Sequence, residues 1–375
     1  MTSFSQRIID WQKKYGRHDL PWQPKLNQPV DPYAIWVSEI MLQQTQVTAV
    51  IGYYAKFMQR FPNISALAAA TQEEVLQYWS GLGYYSRARN LHAAAQKIVD
   101  DFGGVFPSNF DDIQSLAGIG RSTAAAISTF ALNLPQPILD GNVKRVFARH
   151  FNIAGYTGAP KVAQQLWKIA ERENPQGVDN TQNAISYTQG LMDLGATLCS
   201  RSKPKCTICP VNHSCEALAL NLVKTLPTPK PRKTIPEKSV TMLVMLNQNE
   251  VMLEKRPPSG IWGGLWSLPE VADLTDLAEM GLKPTTTLNS LTHTFTHFKL
   301  HITPQLIVVD HQSPAVNQAA KIWLPIEDAI AAAIPTPIRT ILLSVQASMN
   351  KKNLTNKKSR INRLFLLVKL MCAGF

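Results

Sequence analysis

The chain of 375 residues reads as a two-domain protein, all helix first and mixed α and β second. Three observations carry this reading. Apolar residues recur at helical spacing from Phe4 to about Leu222, and the stretch VKTLPTPKPRKTIPEK, with four prolines, then interrupts every periodicity. Short β-type runs follow it. The length also fits two domains at roughly 100 to 200 residues each. The boundaries expected are 1–222 for the helical domain, 223–238 for a stiff extended linker, 239–348 for the mixed domain and 349–375 for a tail.

Along the first domain, DPYAIWVSEIMLQQTQVTAVIGYYAKFMQRFP starts with Asp31 as N-cap and Pro32 at N1, and its apolar spacing predicts helix up to Pro62. Glu39, Gln43 and Gln46 fall on one face of that helix. A Glu and glutamines among so many apolar neighbours make an odd solvated face. SALAAATQEEVLQYWSGLGYYSRARNLHAAAQKIVDDFGG predicts two or three helices, broken at Gly81 to Gly83 and closed by Gly103 and Gly104. SLAGIGRSTAAAI places Gly118 and Gly120 between two helical segments. Such a turn lets backbone approach a phosphate, although an isolated G-x-G is more often a plain tight turn with no ligand. In LDGNVKRVFARH, Asp140 precedes a helix, as an N-cap and as a fixed carboxylate beside a developing positive charge.

In the second domain SVTMLVML, EVMLEKR, FKLHIT and QLIVVD read as separate strands, and DLTDLAEMG and PIRTILLSVQ as helices. The tail, a basic run followed by about a dozen mostly apolar residues, is too short to span a bilayer and reads as a disordered end in preference to an appended amphipathic helix. No secretory signal or membrane span is evident, so a cytoplasmic, nucleoid-associated protein is expected.

Lys and Arg number 38 against 26 Asp and Glu, a formal net charge of +12. Charge alone leaves ordinary solubility and a polyanion partner equally open. Four of five cysteines, Cys199, Cys206, Cys209 and Cys215, are separated by six, two and five residues. In a reducing compartment such spacing points to metal ligands. One compact loop suits a cubane-sized iron-sulfur cluster, while His213 keeps zinc open. Arg201, Lys203 and Lys205 in the same loop suit phosphate contacts.

Taken together, the L-x-G-x-G turn, the aspartate about twenty residues later and the C-x6-C-x2-C-x5-C loop resemble the helix-hairpin-helix DNA glycosylases with an iron-sulfur loop. LPWQ, DPYAIWVSEIMLQQTQV, GLGYYSRARNLHAAA, GIGRSTAAAI, LDGNVKRV, MDLGATLC, PPSGIWGGLWSLPE and HTFTHFKL, in this order, most closely resemble the MutY-type adenine DNA glycosylases. The resemblance implies a mostly α helix-hairpin-helix domain with an iron-sulfur loop, followed by an α+β Nudix-like domain. It also implies a monomer that removes adenine mispaired with 8-oxoguanine, or with guanine, from double-stranded DNA, with one structural 4Fe-4S cluster on the four cysteines and no nucleotide cofactor.

Carried over position by position, the resemblance makes Glu39 the acid that protonates the flipped adenine, and Asp140 the group that stabilises the sugar cation or adds to it transiently. Asn142, Gln189 and Trp22 match pocket positions, and Gln44, Leu82 and Tyr84 match residues that wedge or stack in the duplex. Gly118 and Gly120 match the DNA-contacting hairpin. Ser122 stands where related glycosylase/lyases carry a lysine nucleophile, which implies a monofunctional enzyme, with Lys144 near enough to trap an abasic product. Phe295, Thr296 and His297 match the loop that reads 8-oxoguanine, although the family usually has serine at position 296. The Nudix box is broken after Gly264 and Glu270, which argues against nucleotide hydrolysis. A pyrimidine glycosylase/lyase and a noncatalytic DNA-binding module are the competing readings, disfavoured by Ser122 with the second domain, and by Glu39 with Asp140, respectively.

Overall fold

The computed structural model describes residues 2–24, 29–175, 181–231, 234–271, 277, 282–309 and 320–351. By contact the chain forms two units. One comprises the chain up to Val75 together with Ser86–Lys233, and the other joins Leu76–Tyr85 to the chain from Thr234 onward.

The first unit is helical. α1 (Phe4–Tyr15) starts where Ser3 Oγ accepts the Gln6 N–H at 3.2 Å. α2 (Pro32–Leu42) is capped by Asp31, which accepts the Tyr33 N–H at 2.9 Å, with Pro32 in its first turn. Nearly every side of α2 is apolar and buried, as expected of a helix inside a core.

The single helix expected up to Pro62 is two. α2 stops at Leu42, Gln44 turns left-handed with φ 58°, and α3 (Val47–Arg60) begins after Gln46. Glu39, Gln43 and Gln46 therefore do not share a helical face. The physical reason is Arg87, whose Nη1 lies 3.0, 2.7 and 2.7 Å from the carbonyl oxygens of Ile40, Met41 and Gln43. These carbonyls are thereby satisfied without another helical turn.

α4 (Ile64–Ala69), α5 (Gln72–Trp79) and α6 (Ser86–Phe102) follow, with the Gly81 to Gly83 break as expected. α7 (Phe110–Ser115) and α8 (Arg121–Leu132) flank the glycine turn. α9 (Gly141–His150), α10 (Pro160–Glu173) and α11 (Thr181–Asp193) complete the core with α1, around Ile8, Val143, Phe147, Leu166 and Leu191. Past α11 the backbone widens, with the Cys199 N–H reaching the Leu194 oxygen five residues back at 2.7 Å. Wide turns of this kind gather at functional sites. α12 (Glu216–Ala219) ends the cysteine loop.

The second unit holds an eight-stranded sheet. β1 (Glu237–Asn247) runs parallel to β7 (Lys299–Val308) at its centre, and the remaining pairings are antiparallel. FKLHIT and QLIVVD are not two strands. Ten residues of β7 pair continuously with β1, straight through Pro304. Pro304 forfeits one amide donor, yet its carbonyl still accepts the Leu288 N–H at 2.9 Å. β2 (Glu250–Lys255) pairs with β8 (Lys321–Pro325), and β6 (Leu291–Thr294) forms a hairpin with β7. A short helix, Ile326–Ala331, and a helix over 336–351 follow. The helical reading of DLTDLAEMG lies outside the described residues except for Leu277, which is buried in the sheet core with Leu243 and Ile307. The tail beyond 351 lies outside them as well. No helix among the described residues is long and apolar enough to cross a membrane.

Candidate active site

α2 and α11 border a cavity of about 570 Å³ in the first unit. Glu39, Ser38 and Ile35 come from α2, Gln189 and Ser186 from α11, and Trp22 and Gln23 from the loop between α1 and α2. This volume falls in the range of ligand pockets. Trp22 is buried and meets Tyr54 edge-on, with ring centroids 5.4 Å apart. Gln189 donates from Nε2 to Asp193 Oδ1 at 2.8 Å. Buried Asp193 also takes the Arg17 backbone N–H at 2.9 Å and its Nε and Nη2 at 2.7 and 2.6 Å.

Glu39 keeps part of its surface towards the cavity, yet burial first and the charge of Asp140 second push its pKa from 4.5 up to about 7. Asp140 is the N-cap of α9, and its Oδ1 accepts the Val143 N–H at 2.7 Å. Burial raises its pKa as well, opposed by the N–H groups of Val143 and Asn142 and by Arg145 and Lys144. Asp140 thus has four neighbours that favour its charged form, whereas both influences on Glu39, burial and the Asp140 charge, favour its neutral form. The proton of the pair therefore belongs on Glu39.

Asn142 Oδ1 accepts Arg145 Nη2 at 2.9 Å, and the same guanidinium donates to the carbonyls of Gly195 and Cys199 at 2.7 and 2.8 Å. Ser122 Oγ accepts the Leu139 N–H at 3.0 Å, so the serine holds the irregular segment that leads into Asp140. Lys144 is half-buried beside Asp140. Gly118 is left-handed with φ 80°, and a Cβ there would stand 2.9 Å from Asn90 Cβ. At Gly120 a Cβ would meet nothing within 4 Å.

Gln44 is exposed in its left-handed turn. Leu82 and Tyr84 group with the second unit, Leu82 buried and Tyr84 exposed. Phe295 to Phe298 close the β6–β7 hairpin, the Phe295 N–H donating to the Phe298 oxygen at 2.9 Å. Phe295 stacks on Phe298 and packs against His293 and Trp262, with centroids 4.6, 4.6 and 5.5 Å away. Thr296 and His297 are exposed at the tip, Thr296 Oγ1 3.4 Å from His297 Nδ1. Glu270 pairs with Arg256.

The four cysteines line one cavity with Val146, Leu194, Leu198 and Val211. Burial raises the thiol pKa values of Cys206 and Cys215 and lifts that of Cys209 to about 11. Holding them as thiolates requires bound cationic charge. Arg149 supplies a little, with Nη1 3.4 Å from Cys199 Sγ and further donations to the oxygens of Leu226, Ser200 and Arg201. Among the described residues, no three candidate ligands stand close enough to share a single metal ion. His213 is exposed and outside the ring. Arg17, Arg145, Arg149 and Asp193 escape a sequence reading because they act across 50 or more residues.

Residues 37–172 match the HhH-GPD superfamily of base excision DNA repair proteins, and residues 240–344 match the NUDIX domain. The adenine DNA glycosylase of Buchnera aphidicola subsp. Acyrthosiphon pisum is 39% identical over 346 residues, covering 90% of this chain and 96% of the relative. That of Homo sapiens is 33% identical over 429 residues, covering 96% of this chain and 77% of the relative. A solved thermostable thymine-DNA glycosylase is similar with a TM-score of 0.50 and 29% identity, covering 58% of this chain and 95% of its own. Helical fold, glycine hairpin and enclosed acid thus define a helix-hairpin-helix base excision repair enzyme carrying a Nudix-like domain. Within that class the chain belongs to the adenine DNA glycosylase family.

Proposed function

We propose that this glycosylase excises adenine paired with 8-oxoguanine, and with guanine, in double-stranded DNA, flipping the adenine into the cavity bordered by Glu39. The observation that carries the proposal is an enclosed carboxyl, pushed up to about 7, on the wall of a base-sized cavity. Such a group is still an acid near neutral pH. Glu39 gives its proton to the departing adenine as the C1′–N9 bond breaks and its electron pair leaves with the base. Asp140 offsets the positive charge growing on the sugar, and a water adds its oxygen to C1′ while its released proton returns to the Glu39 carboxylate, leaving an abasic site and the acid restored.

Trp22 walls the adenine, Gln189 offers it amide hydrogen bonds, and Asn142 steadies the site through Arg145. Gly118 and Gly120 bring backbone N–H groups to a phosphate. Gln44, Leu82 and Tyr84 fill or flank the gap left by the flipped base. Ser122 has no amine with which to attack the sugar, so strand cleavage is minor, and Lys144 is the amine that captures product occasionally. The Phe295–Thr296–His297 tip reads the N7 hydrogen and O8 that distinguish 8-oxoguanine from guanine.

Cys199, Cys206, Cys209 and Cys215 would hold one 4Fe-4S cluster. Their shared apolar cavity and the single compact loop that carries all four suit such a cluster. Bound there, the cluster supplies positive iron that keeps the thiolates charged and the loop ordered. The protein acts as a monomer beside the nucleoid and needs no nucleotide cofactor.

The deciding experiment is single-turnover release of adenine opposite 8-oxoguanine by the wild type and Glu39→Gln, with and without alkali. Release that needs alkali to show a strand break and collapses in the variant is expected. Equal release by both proteins would refute the assignment of Glu39.

A further inference from the structure

Arg87 opens α6 and retains 7% of its surface, so its guanidinium is a buried cation. One of its nitrogens, Nη1, reaches three carbonyl oxygens at the end of α2: Ile40 at 3.0 Å, Met41 at 2.7 Å and Gln43 at 2.7 Å. A helix leaves its last carbonyls without partners, and its C-terminal end attracts positive charge. The usual way to end a helix is local, with a left-handed glycine just past the last turn. Here Gln44 takes the left-handed conformation despite its side chain, with φ 58°. A strained residue of this kind persists where its surroundings over-determine it, and such residues gather at functional sites.

The other end of the same node is the Gln43 side chain. Its Nε2 stands 3.4 Å from the Gly118 oxygen in the glycine hairpin and 3.3 Å from Thr123 Oγ1 in α8. Arg87 thus fixes the turn immediately after Glu39 and the backbone leading into Gln44, and Gln43 ties both to the hairpin.

We infer that Arg87 is a positioning residue, with Gln43 as its relay, that sets Glu39 and Gln44 at a fixed spacing from the Gly118 hairpin. The inference rests on the reading of Glu39 as the acid and Gln44 as a duplex contact. Arg87 acts through the backbone and not as a charge beside the acid, because burial and Asp140 are what move Glu39.

The test compares single-turnover adenine release as a function of pH, on duplexes with adenine opposite 8-oxoguanine, for the full chain and its variants. Arg87→Met keeps the bulk and removes the donors, whereas Arg87→Lys keeps a donor. Arg87→Met should slow release by about 100-fold, the effect of a displacement near 1 Å at a reacting group. The upper pH limit of activity should also fall, since a loosened α2 end opens Glu39 to water. Arg87→Lys should recover most of both. A folded Arg87→Met protein with the wild-type rate and pH limit would overturn the inference. Should that variant fail to fold, Gln43→Ala decides: a slower rate with a displaced pH limit supports the relay, and wild-type behaviour overturns it. Glu39→Gln serves as the control. Full activity in that variant means the reading of the site has failed, whereas its inactivity beside unaffected Arg87 and Gln43 variants means that the positioning inference alone has failed.

Discussion

Asp140 reaches Glu39 through its charge: after burial, it is the second cause that lifts the Glu39 pKa to about 7. An acid must be protonated to donate, so adenine release should be flat below this value and fall about tenfold per pH unit above it. Asp140→Asn removes a negative neighbour and so should lower the Glu39 pKa, moving the limb towards acid in whatever activity remains. A single-turnover pH profile checks both. A limb that stays put in Asp140→Asn would break the proposed coupling.

The same shift makes a prediction about stability. In the unfolded chain Glu39 titrates at about 4.5 and in the fold at about 7, so between these values the folded state holds a proton that the unfolded state releases. The stabilising effect is full below 4.5, is lost as the pH rises, and levels off above 7 after a loss of up to about 3 kcal/mol. Glu39→Gln never ionises. It should therefore resist urea better than the wild type at about pH 8 and no better at about pH 4. Parallel pH curves for the two proteins would show that Glu39 is not enclosed.

Gly118 and Gly120 look alike in the sequence and differ in the fold. Gly118→Ala forces a side chain into a left-handed turn against Asn90 and should cost about 1 to 3 kcal/mol. Gly120 is the N-cap of α8 with φ −88° and open space around it, so Gly120→Ala should cost less than about 1 kcal/mol. Urea unfolding of the two variants tests the ranking, and equal losses would contradict it.

What was legible in the sequence is what periodicity and local chemistry encode. Asp31 and Asp140 read as N-caps because a cap needs only the next three residues. The break after Leu42 did not, because its cause is Arg87, more than forty residues away, and apolar residues continue at helical spacing on both sides of the break. Likewise Ser122 reads as the absence of a lysine, while its bond to the Leu139 N–H exists only once α8 and the segment before Asp140 are packed together. FKLHIT and QLIVVD looked like two strands because Pro304 is a local strand breaker, and only pairing with β1 overrides it.

The cysteine ring should depend on bound iron. Cys209, whose pKa burial lifts to about 11, is in unfavourable surroundings for a free thiolate. Cys209→Ala should lack the visible sulfur-to-iron absorption and melt at a lower temperature. It should also bind duplex more weakly, because Arg201, Lys203 and Lys205 lose their ordered loop. Undiminished absorption and melting temperature in this variant would mean that Cys209 is no ligand.

Thr296 offers the last test, at the tip of the hairpin. Thr296 is exposed and its hydroxyl stands 3.4 Å from His297 Nδ1, a weak contact that a partner base can replace. Thr296→Val keeps the shape and deletes the hydroxyl. One hydrogen bond of about 1 to 1.5 kcal/mol corresponds to roughly tenfold, so this variant should narrow the preference for 8-oxoguanine over guanine opposite the adenine by about that factor. Thr296→Ser keeps the hydroxyl and removes the methyl, and should preserve or widen the preference. The ratio of single-turnover rates on the two duplexes measures it directly. An unchanged ratio in Thr296→Val would move the reading of the oxidised base to the backbone or to Phe295 and His297, whose aromatic packing on Trp262 and Phe298 is untouched by that substitution.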